Sequence, residues 1–575
     1  MLCIILAVLK LTPLKKLSII LWAILSCHLV SAQFKLIAQS TAFDEPEKGF
    51  SKLLQLKNGY TLFFHITAKE GFEVKVFDDR HKLKATRHHA PSYGKLKYPA
   101  MEGLFEVKGD GVLLISELDA KIPTLWRIIV DGKTGQVKES RQIAELHKLN
   151  SPAKMAVVFG GVPMPDFFIR KDPATDCYAL AMFNSLENDR NQRIEVIHYG
   201  SEHQELSHAF YTSPEEGKYK YMHYLDMAVI GSQSVNILAN AYNTRASGGR
   251  EKELVLADLR SGQKEVTLTM LDFAKDLDLA GGIVRYNQVS KKLIMLATTK
   301  KKKKSDDINS LLAIIDPWSR KLEKNEDILP GQAVQKNMEI FGKKDDFTGT
   351  PQNLFINNDG GFTVLFEEIE NMSKTYGTNG LPTPKSQLYY DERIGLVDKS
   401  AVMGGKGETV IAVRLSNMVI NNYNAAGTVT NSYFVPKSHL VTNRWMKPFY
   451  HSERQHMGQK LEFGNQFKSF TYLDGAKKSY ILFNDVEENR ERLKKGKVTT
   501  IQGVSDCDAY YFNVSGTDIV PEREFVFGKP DGRKQHNLGL FTISEYDREK
   551  NMLVTLKLEN DGGDKLVKVV WLQPE

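Results

Sequence analysis

The chain has 575 residues, 42% of them apolar and 26% charged, with a formal net charge of +7. These are the proportions of a soluble globular protein, and the length exceeds what one ordinary core requires. Lys10, Lys15 and Lys16 fall in the first 32 residues and leave +4 on the rest, too mild a charge over this length for a dedicated nucleic-acid surface.

At the N-terminus, Lys15-Lys16 precede the apolar run "LSIILWAILSCHLVSA", which ends in the small residues Ser31-Ala32 before "QFKL". A basic region, an apolar stretch and a small-residue exit form an export signal. Residues 1–32 are expected to be that signal, with cleavage after Ala32 and no membrane span in the mature chain. The run is shorter than the roughly 20 residues a span needs. An uncleaved anchor, or a lipoprotein acylated at Cys27, are the alternatives. Export implies a secreted, periplasmic or cell-surface location. Cys177 and Cys507 are the cysteines left after the leader, so no disulfide framework is expected. Asn371 and Asn513 begin N-x-S sequons.

The mature chain opens with the strand-like "QFKLIAQSTAF". Then "SKLLQLKNGYTLFFHITAKEGFEVKVFDDRHKL" (Ser51 to Leu83) alternates apolar and polar residues, broken by Asn58-Gly59, by Lys69-Glu70-Gly71 and by Asp78-Asp79. The pattern predicts three antiparallel strands, with "KATRHHA" as a fourth. The grammar recurs from "LFEVKGDGVLLISEL", "DFFIRKDPATDCYALAMF", "DMAVIGSQSVNILANAY" and "GGIVRYNQVSKKLIMLAT". It recurs again in "NLFINNDGGFTVLFEEIE" with "ETVIAVRLS", in "SFTYLDGAKKSYILFNDVEE" with "DAYYFNV", and in the closing "LFTISEYDREKNMLVTLKLENDGGDKLVKVVWLQ". Asn58-Gly59, Asp110-Gly111, Asp359-Gly360 and Asp474-Gly475 supply the positive φ of tight hairpin turns. Second strands such as "TLFFHI" and "YALAMF" are apolar at nearly every position, which suits strands buried on both faces.

Repeated four-stranded units that cannot bury their own faces predict an all-β fold, a β-propeller of four-stranded antiparallel blades. Seven or eight blades fit, eight being favoured by the eight second strands. These begin near Tyr60, Val112, Tyr178, Val235, Leu293, Phe362, Tyr480 and Leu553. Their spacing of about 70 residues exceeds the roughly 40–50 of familiar propeller repeats, which implies insertions near 370–408 and 433–465 within one domain, 33–575. Two sandwiches or smaller propellers are the alternative. The last unit has three good strands, so Phe34 to Phe43 is expected to supply its fourth and close the ring.

First-to-second-strand turns are short, whereas second-to-third-strand loops are long, and loops on a rigid scaffold carry binding residues. Three such loops begin alike: "MFNSLEND", "LFEEIENM" and "LFNDVEEN". They set Phe183, Phe366 and Phe483 as core plugs, followed by Asn184, Glu367 and Asn484. Glu187, Glu370 and Glu487 come four residues after each Phe, with Glu368 and Asp485 beside them. These eight polar residues are the candidate binding set, a rim for cations, sugars or a basic partner. Alternatively they are ordinary loop residues of diverged copies. As carboxylates at a propeller mouth they could instead serve a glycoside hydrolase or lyase, which needs two carboxyl groups roughly 5–10 Å apart.

The remaining signals are weak. Lys300 to Lys304 reads as a solvated loop, "KYKYMHY" (Lys218 to Tyr224) as the lead-in to a strand, and His65 as a core histidine. His451 and His456 are spaced wrongly for one helical face, and no zinc, calcium or phosphate motif occurs. Nor is there a G-x-S-x-G elbow. No metal, cofactor or catalytic residue is therefore assigned. "NDGGD" (Asn560 to Asp564) reads as a hairpin turn.

Over nearly all the mature chain the units resemble generic secreted bacterial β-propeller repeats. "DGKTGQ" (Asp131 to Gln136) is similar to the strand connection of quinoprotein-type propellers. The Trp of each such blade is missing, however, so the resemblance implies no quinone. The WD, Asp-box and kelch signatures are missing too. The resemblance implies fold and compartment, and the expectation is an exported, non-catalytic propeller that binds a protein or glycan.

Overall fold

A computed structural model describes residues 34–90, 95–211, 218–248, 252–271, 277–301, 308–328, 332–341, 347–377, 388–391, 395–398, 407–453, 457–461, 464–475, 477–532 and 534–575. The expected leader, His456 and Lys302 to Lys304 lie outside the described residues.

Eight antiparallel sheets follow one another along the chain, each a blade with its first strand innermost. Blade 1 is Phe50–Gln55, Thr61–Thr67, Gly71–Phe77 and Leu83–His89. Blades 2 to 5 repeat the order over 100–145, 166–210, 221–270 and 277–328. Blade 6 spans 350–435, blade 7 spans 471–525, and blade 8 begins at Gln535. Of the four expected Gly turns, those at Gly59 and Gly360 take positive φ, whereas Gly111 lies within the strand Asp110–Asp119, with the positive φ at Lys108 and Gly109 instead, and Gly475 does not take positive φ. Gly59 has φ 92°, and Asn58 Oδ1 accepts the Tyr60 amide at 3.0 Å. In the "DGKTGQ" turn, Asp131 Oδ1 accepts the Lys133 and Thr134 amides at 3.0 and 2.8 Å. Asp316 does the same in "DPWSR" for Trp318 and Ser319. The shared turn grammar is thus side-chain capping of backbone amides.

Burial on both faces of the second strands has a direct cause. In blade 1, Leu62, Phe64 and Ile66 pack toward blade 2, while Phe63 on the opposite face packs toward blade 8. The buried apolar residues fall into eight clusters, and each joins one pair of neighbouring blades. An open row of eight blades would have seven joints. The eighth, between blades 8 and 1, makes the row a ring.

Closure follows the expected route. Phe34–Gln39 pairs antiparallel with Asp564–Pro574, from Phe34 opposite Pro574 to Gln39 opposite Val570, and Phe43 bridges Val567. Blade 8 has its first strand in two pieces, Gln535–Gly539 and Glu545–Asp547, both paired with Met552–Asp561. A short 3-10 turn at Phe541–Ile543 interrupts them, which is why no continuous alternation marks that strand in sequence. Trp571, fully buried, donates from Nε1 to Thr61 Oγ1 across the seam at 3.0 Å.

Blade 6 differs from the expectation. "ETVIAVRLS" is not the third strand of the blade. Phe362–Gly377 and Gly407–Tyr423 pair from Phe362 opposite Tyr423 out to Gly377 opposite Gly407, so they form a long ribbon. Its base, with Met418 to Tyr423, completes the blade, and its outer part leaves as an arm. A bulge between Glu367 and Ile369 marks the departure, as bulges re-aim strands. The fourth strand is Val429–Val435, so the second insertion starts after Val435 rather than at 433. Among the described residues two helices longer than two turns lie in links between blades: α1, Ser151–Gly160, between blades 2 and 3, and α2, Gln332–Ile340, between blades 5 and 6; a single turn, Tyr450–Glu453, lies in the link between blades 6 and 7. No helix among the described residues is long and apolar enough to cross a membrane. Cys177 and Cys507 are both free and buried, in different blades.

Candidate functional site: the loop face and the mouth of the bore

Second-to-third-strand loops and inter-blade links emerge on the same face of a propeller. Here that face carries both helices, the blade 6 arm and the long blade 7 loop between Asp485 and Asp508. Phe183, Phe366 and Phe483 plug the blades beneath it, at 4%, 2% and 0% exposure.

The eight candidate polar residues divide by burial. Four of them are sealed inside. Glu367 is ion-paired to fully buried Lys437 and accepts the Tyr450 hydroxyl at 2.5 Å. Glu368 accepts Asn417 Nδ2 at 3.0 Å. Asn484 donates to the Phe467 and Gly539 carbonyls at 2.8 Å and accepts the Gly539 amide at 2.8 Å, fastening blade 7 to blade 8. Asp485 is ion-paired to Arg523 and accepts Asn489 Nδ2 at 2.6 Å. Burial pushes the Asp485 carboxyl up to about 6 even with Arg523 pulling it down. The other four reach solvent. Asn184 Oδ1 accepts the His147 amide, and Glu187 Oε1 accepts the amide of Asn188, closing its own loop. Glu370 pairs with Arg414 at 3.1 Å. Glu487 pairs with Lys529 at 2.7 Å, and that contact holds its carboxyl below the usual range.

Asp485 and Glu487 are the two brought together: Arg523 binds the Asp485 carboxylate and donates to the carbonyls of Val486 and Glu487 at 2.8 and 2.6 Å. Of the other six, Asn184 and Glu187 belong to blade 3, Glu367, Glu368 and Glu370 to blade 6, and Asn484 to blade 7, so the set falls into three groups on three blades. Asn371 of the first sequon is also engaged. Its amide donates to the Met446 carbonyl at 2.8 Å and its oxygen accepts the Met446 amide at 3.1 Å.

That contact anchors the start of a crossover between blades 6 and 7, whose described parts are 446–453 and 457–461. The Phe449 amide donates to the Pro351 carbonyl on the inner strand of blade 6. The Phe449 ring lies where a Cβ on Gly281 of blade 5 would stand 3.1 Å away. Farther on, Gly458 donates to the Met101 carbonyl of blade 2. Gln459–Lys460 pairs with Ser51 and Phe50, adding a fifth strand to the inner edge of blade 1. All of these partners lie at the loop-face ends of inner strands, so the crossover passes over the mouth of the central bore.

Below it runs a chain of polar contacts that sequence reasoning missed. Asp226 of blade 4 accepts Arg170 of blade 3 at 2.6 Å and pairs with Arg285 of blade 5. Arg285 reaches Asn353 of blade 6 at 3.3 Å, and Asn353 meets His451 of the crossover at 3.1 Å. Burial alone would raise the Asp226 carboxyl, but the two guanidiniums outweigh it and hold it low. The available signal was a polar or charged residue within the otherwise apolar first strands "DFFIRKD", "HYLDMAV", "GIVRYNQ" and "PQNLFIN". Across the bore, burial raises Glu545 of blade 8 to about 7, with the Gln55 amide donating to it. Every carboxylate named here has a donor. Among the described residues no group of three or more His, Cys, Asp or Glu could hold a metal ion. A void of about 10 Å³ between blades 3 and 4, lined by Phe183, Ile194 and Met222 among others, is apolar.

No protein-family model and no curated protein matches the sequence. Among solved structures, the chain is similar to an ulvan lyase of polysaccharide lyase family PL25, with 7% identity and a TM-score of 0.36, covering 85% of this chain and 98% of that one. It is also similar to the alpha-L-arabinanase of Penicillium chrysogenum, at 9% identity and a TM-score of 0.30, covering 58% and 94%. The N-terminal domain of Nup159 aligns at 9% identity with a TM-score of 0.29, covering 94% and 95%. Superpositions this loose carry nothing about chemistry.

Proposed function

We propose that this chain is an exported, non-catalytic propeller that binds a protein or glycan partner outside the cytoplasm through its loop face. The observation that carries the reading is the crossover. Its described parts, 446–453 and 457–461, lie over the mouth where paired carboxylates would have to flank a substrate, and His451 ties the first of them to the polar chain beneath. The separation of the candidate carboxylates supports the same reading. Glu187, Glu370 and Glu487 stand on blades 3, 6 and 7 with their own partners, an arrangement suited to a wide contact surface rather than to one reacting bond. Export rests on the N-terminal pattern of basic, apolar and small residues.

The test is a glycan array together with a pull-down from extracytoplasmic extract, using the secreted chain and its Glu187→Ala and Glu487→Ala variants. A captured ligand whose affinity falls roughly tenfold in either variant supports the reading. Absence of any ligand would overturn it, and polysaccharide cleavage that disappears on Glu487→Gln, with the thermal melt unchanged, would overturn it in favour of a hydrolase or lyase.

A further inference from the structure

One part of the loop face is apolar on the side turned outward. Helix α1, "SPAKMAVVFG", carries one charged residue, Lys154. It starts with the Asn150 side chain accepting the Ala153 amide and stops at Gly161, whose φ is 70°. Val157 and Val158 are buried against the propeller. The opposite side presents Pro152, Met155 and Phe159, with Met155 47% and Phe159 39% exposed. A helix that is apolar all round is ordinarily enclosed. This one sits on a link at the surface, with one apolar side turned to solvent.

Its surroundings say what would cover it. The Leu149 amide donates to the Lys121 carbonyl, and the Leu118 amide donates to the Lys97 carbonyl. Helix α1 and Tyr98 therefore flank the same hairpin turn of blade 2, Asp119 to Ile122. Tyr98 is 82% exposed. Lys121 lies in that turn, Lys148 in the link just before α1 and Lys154 in its first turn, all exposed and with no ion pair among the described residues. The acids nearby are Asp119, paired with Lys97 at 2.5 Å, and Glu145, which accepts Gln142. Exposed Phe and Met on a short helix, a Tyr beside them and unpaired lysines at the margin are the composition of an interfacial membrane contact. The apolar side chains enter the acyl boundary while the lysines meet acidic headgroups. A glycan would need polar side chains on the contacting face of the helix, and Pro152, Met155 and Phe159 provide none.

We infer that helix α1, with Tyr98 and the lysines around it, docks the propeller on an anionic phospholipid surface, loop face toward the membrane. The inference goes beyond the binding reading above and does not depend on it, since lipid binding can hold or fail whatever the ligand screen returns.

The test is co-sedimentation of the full chain with vesicles of phosphatidylcholine alone or mixed with phosphatidylglycerol. The emission of a Phe159→Trp variant, taken as the difference from the parent chain, gives a local readout that tethering by the N-terminal segment would not move. Binding should require phosphatidylglycerol and weaken in molar salt, where the screening length falls to about 3 Å. The difference emission should shift to the blue on adding those vesicles. The paired change Lys148→Glu with Lys154→Glu, and separately Phe159→Ser, should each weaken binding roughly tenfold. Val289→Ser, at an exposed turn on the opposite face, should leave it unchanged, and thermal melts should show all variants folded. Vesicle binding indifferent to the lysine and Phe159 changes, an unshifted emission from the Phe159→Trp variant, or capture of a protein through this face without vesicle binding would each overturn the inference.

Discussion

Glu487 and Asp485 stand two positions apart and behave as different kinds of residue. Glu487 is 59% exposed and its partner Lys529 66% exposed, whereas Asp485 and Arg523 are 5% and 3% exposed. An exposed pair contributes about 0–1 kcal/mol. Removing one member of a buried pair leaves an uncompensated charge and costs about 3–5 kcal/mol. Glu487→Ala should therefore leave the denaturant midpoint nearly unmoved, and Asp485→Ala should lower stability by about 3–5 kcal/mol. Equal midpoints would mean that Arg523 finds solvent or another acceptor. Sequence placed both residues in one loop because the apolar run ends at Phe483. In the fold, the second strand continues to Asp485, and the Asp508 strand opposite seals its end. Glu367 was misplaced on the rim for the same reason: its strand runs on to Gly377, which leaves Glu367 inside with Lys437 and Glu370 outside with Arg414. Where a strand stops was not legible from apolar alternation, because both faces of these strands are buried.

Among the elements, the second strands were the most legible. They carry the densest apolar runs, several begin just after a tight turn that holds a Gly, and their observed starts lie close to the expected ones. The crossover was the least legible. It has no periodicity, and its anchors are backbone hydrogen bonds to strands far away in the chain. One residue does most of the seating. Phe449 holds φ at 66°, a conformation a bulky residue rarely adopts, and is 4% exposed against Gly281. Phe449→Ala keeps the unfavourable backbone and removes the ring that holds it there. Truncating a buried Phe typically costs about 3–5 kcal/mol, and here the loss should fall on the crossover rather than on the ring. Hydrogen exchange and proteolysis over 446–461 should accelerate strongly, while the principal melting transition moves little. Unchanged exchange in that segment would show that Asn371 and the blade 1 pairing suffice to hold it.

For the whole molecule, the determining contact is the one between the strands Phe34–Gln39 and Asp564–Pro574. Phe34 stands opposite Pro574, and its ring centroid lies 4.8 Å from that of Tyr511 and 5.1 Å from that of Tyr480. The first strand thus closes blade 8 and also packs on blade 7. This was readable beforehand, since the last unit was one strand short and the chain began with one to spare. The arm was not, because a two-stranded extension repeats the alternation of the blade it leaves. If closure depends on the strand and not on where the chain begins, the order of segments can be changed. A permuted chain starting at Lys48, running to Glu575 and continuing through a short turn into Phe34 to Glu47 would make the closing pair a simple hairpin. Its new ends would lie at Glu47 and Lys48, which are exposed. It should melt cooperatively within a few degrees of the parent. Deleting Phe34 to Glu47 outright exposes the edge of Asp564–Pro574 and the rings packed on Phe34. That change should lower the melting temperature by about 10 °C or more and promote association through the open edge. A permuted chain as unstable as the deletion would show that the ring closes by some contact other than this strand.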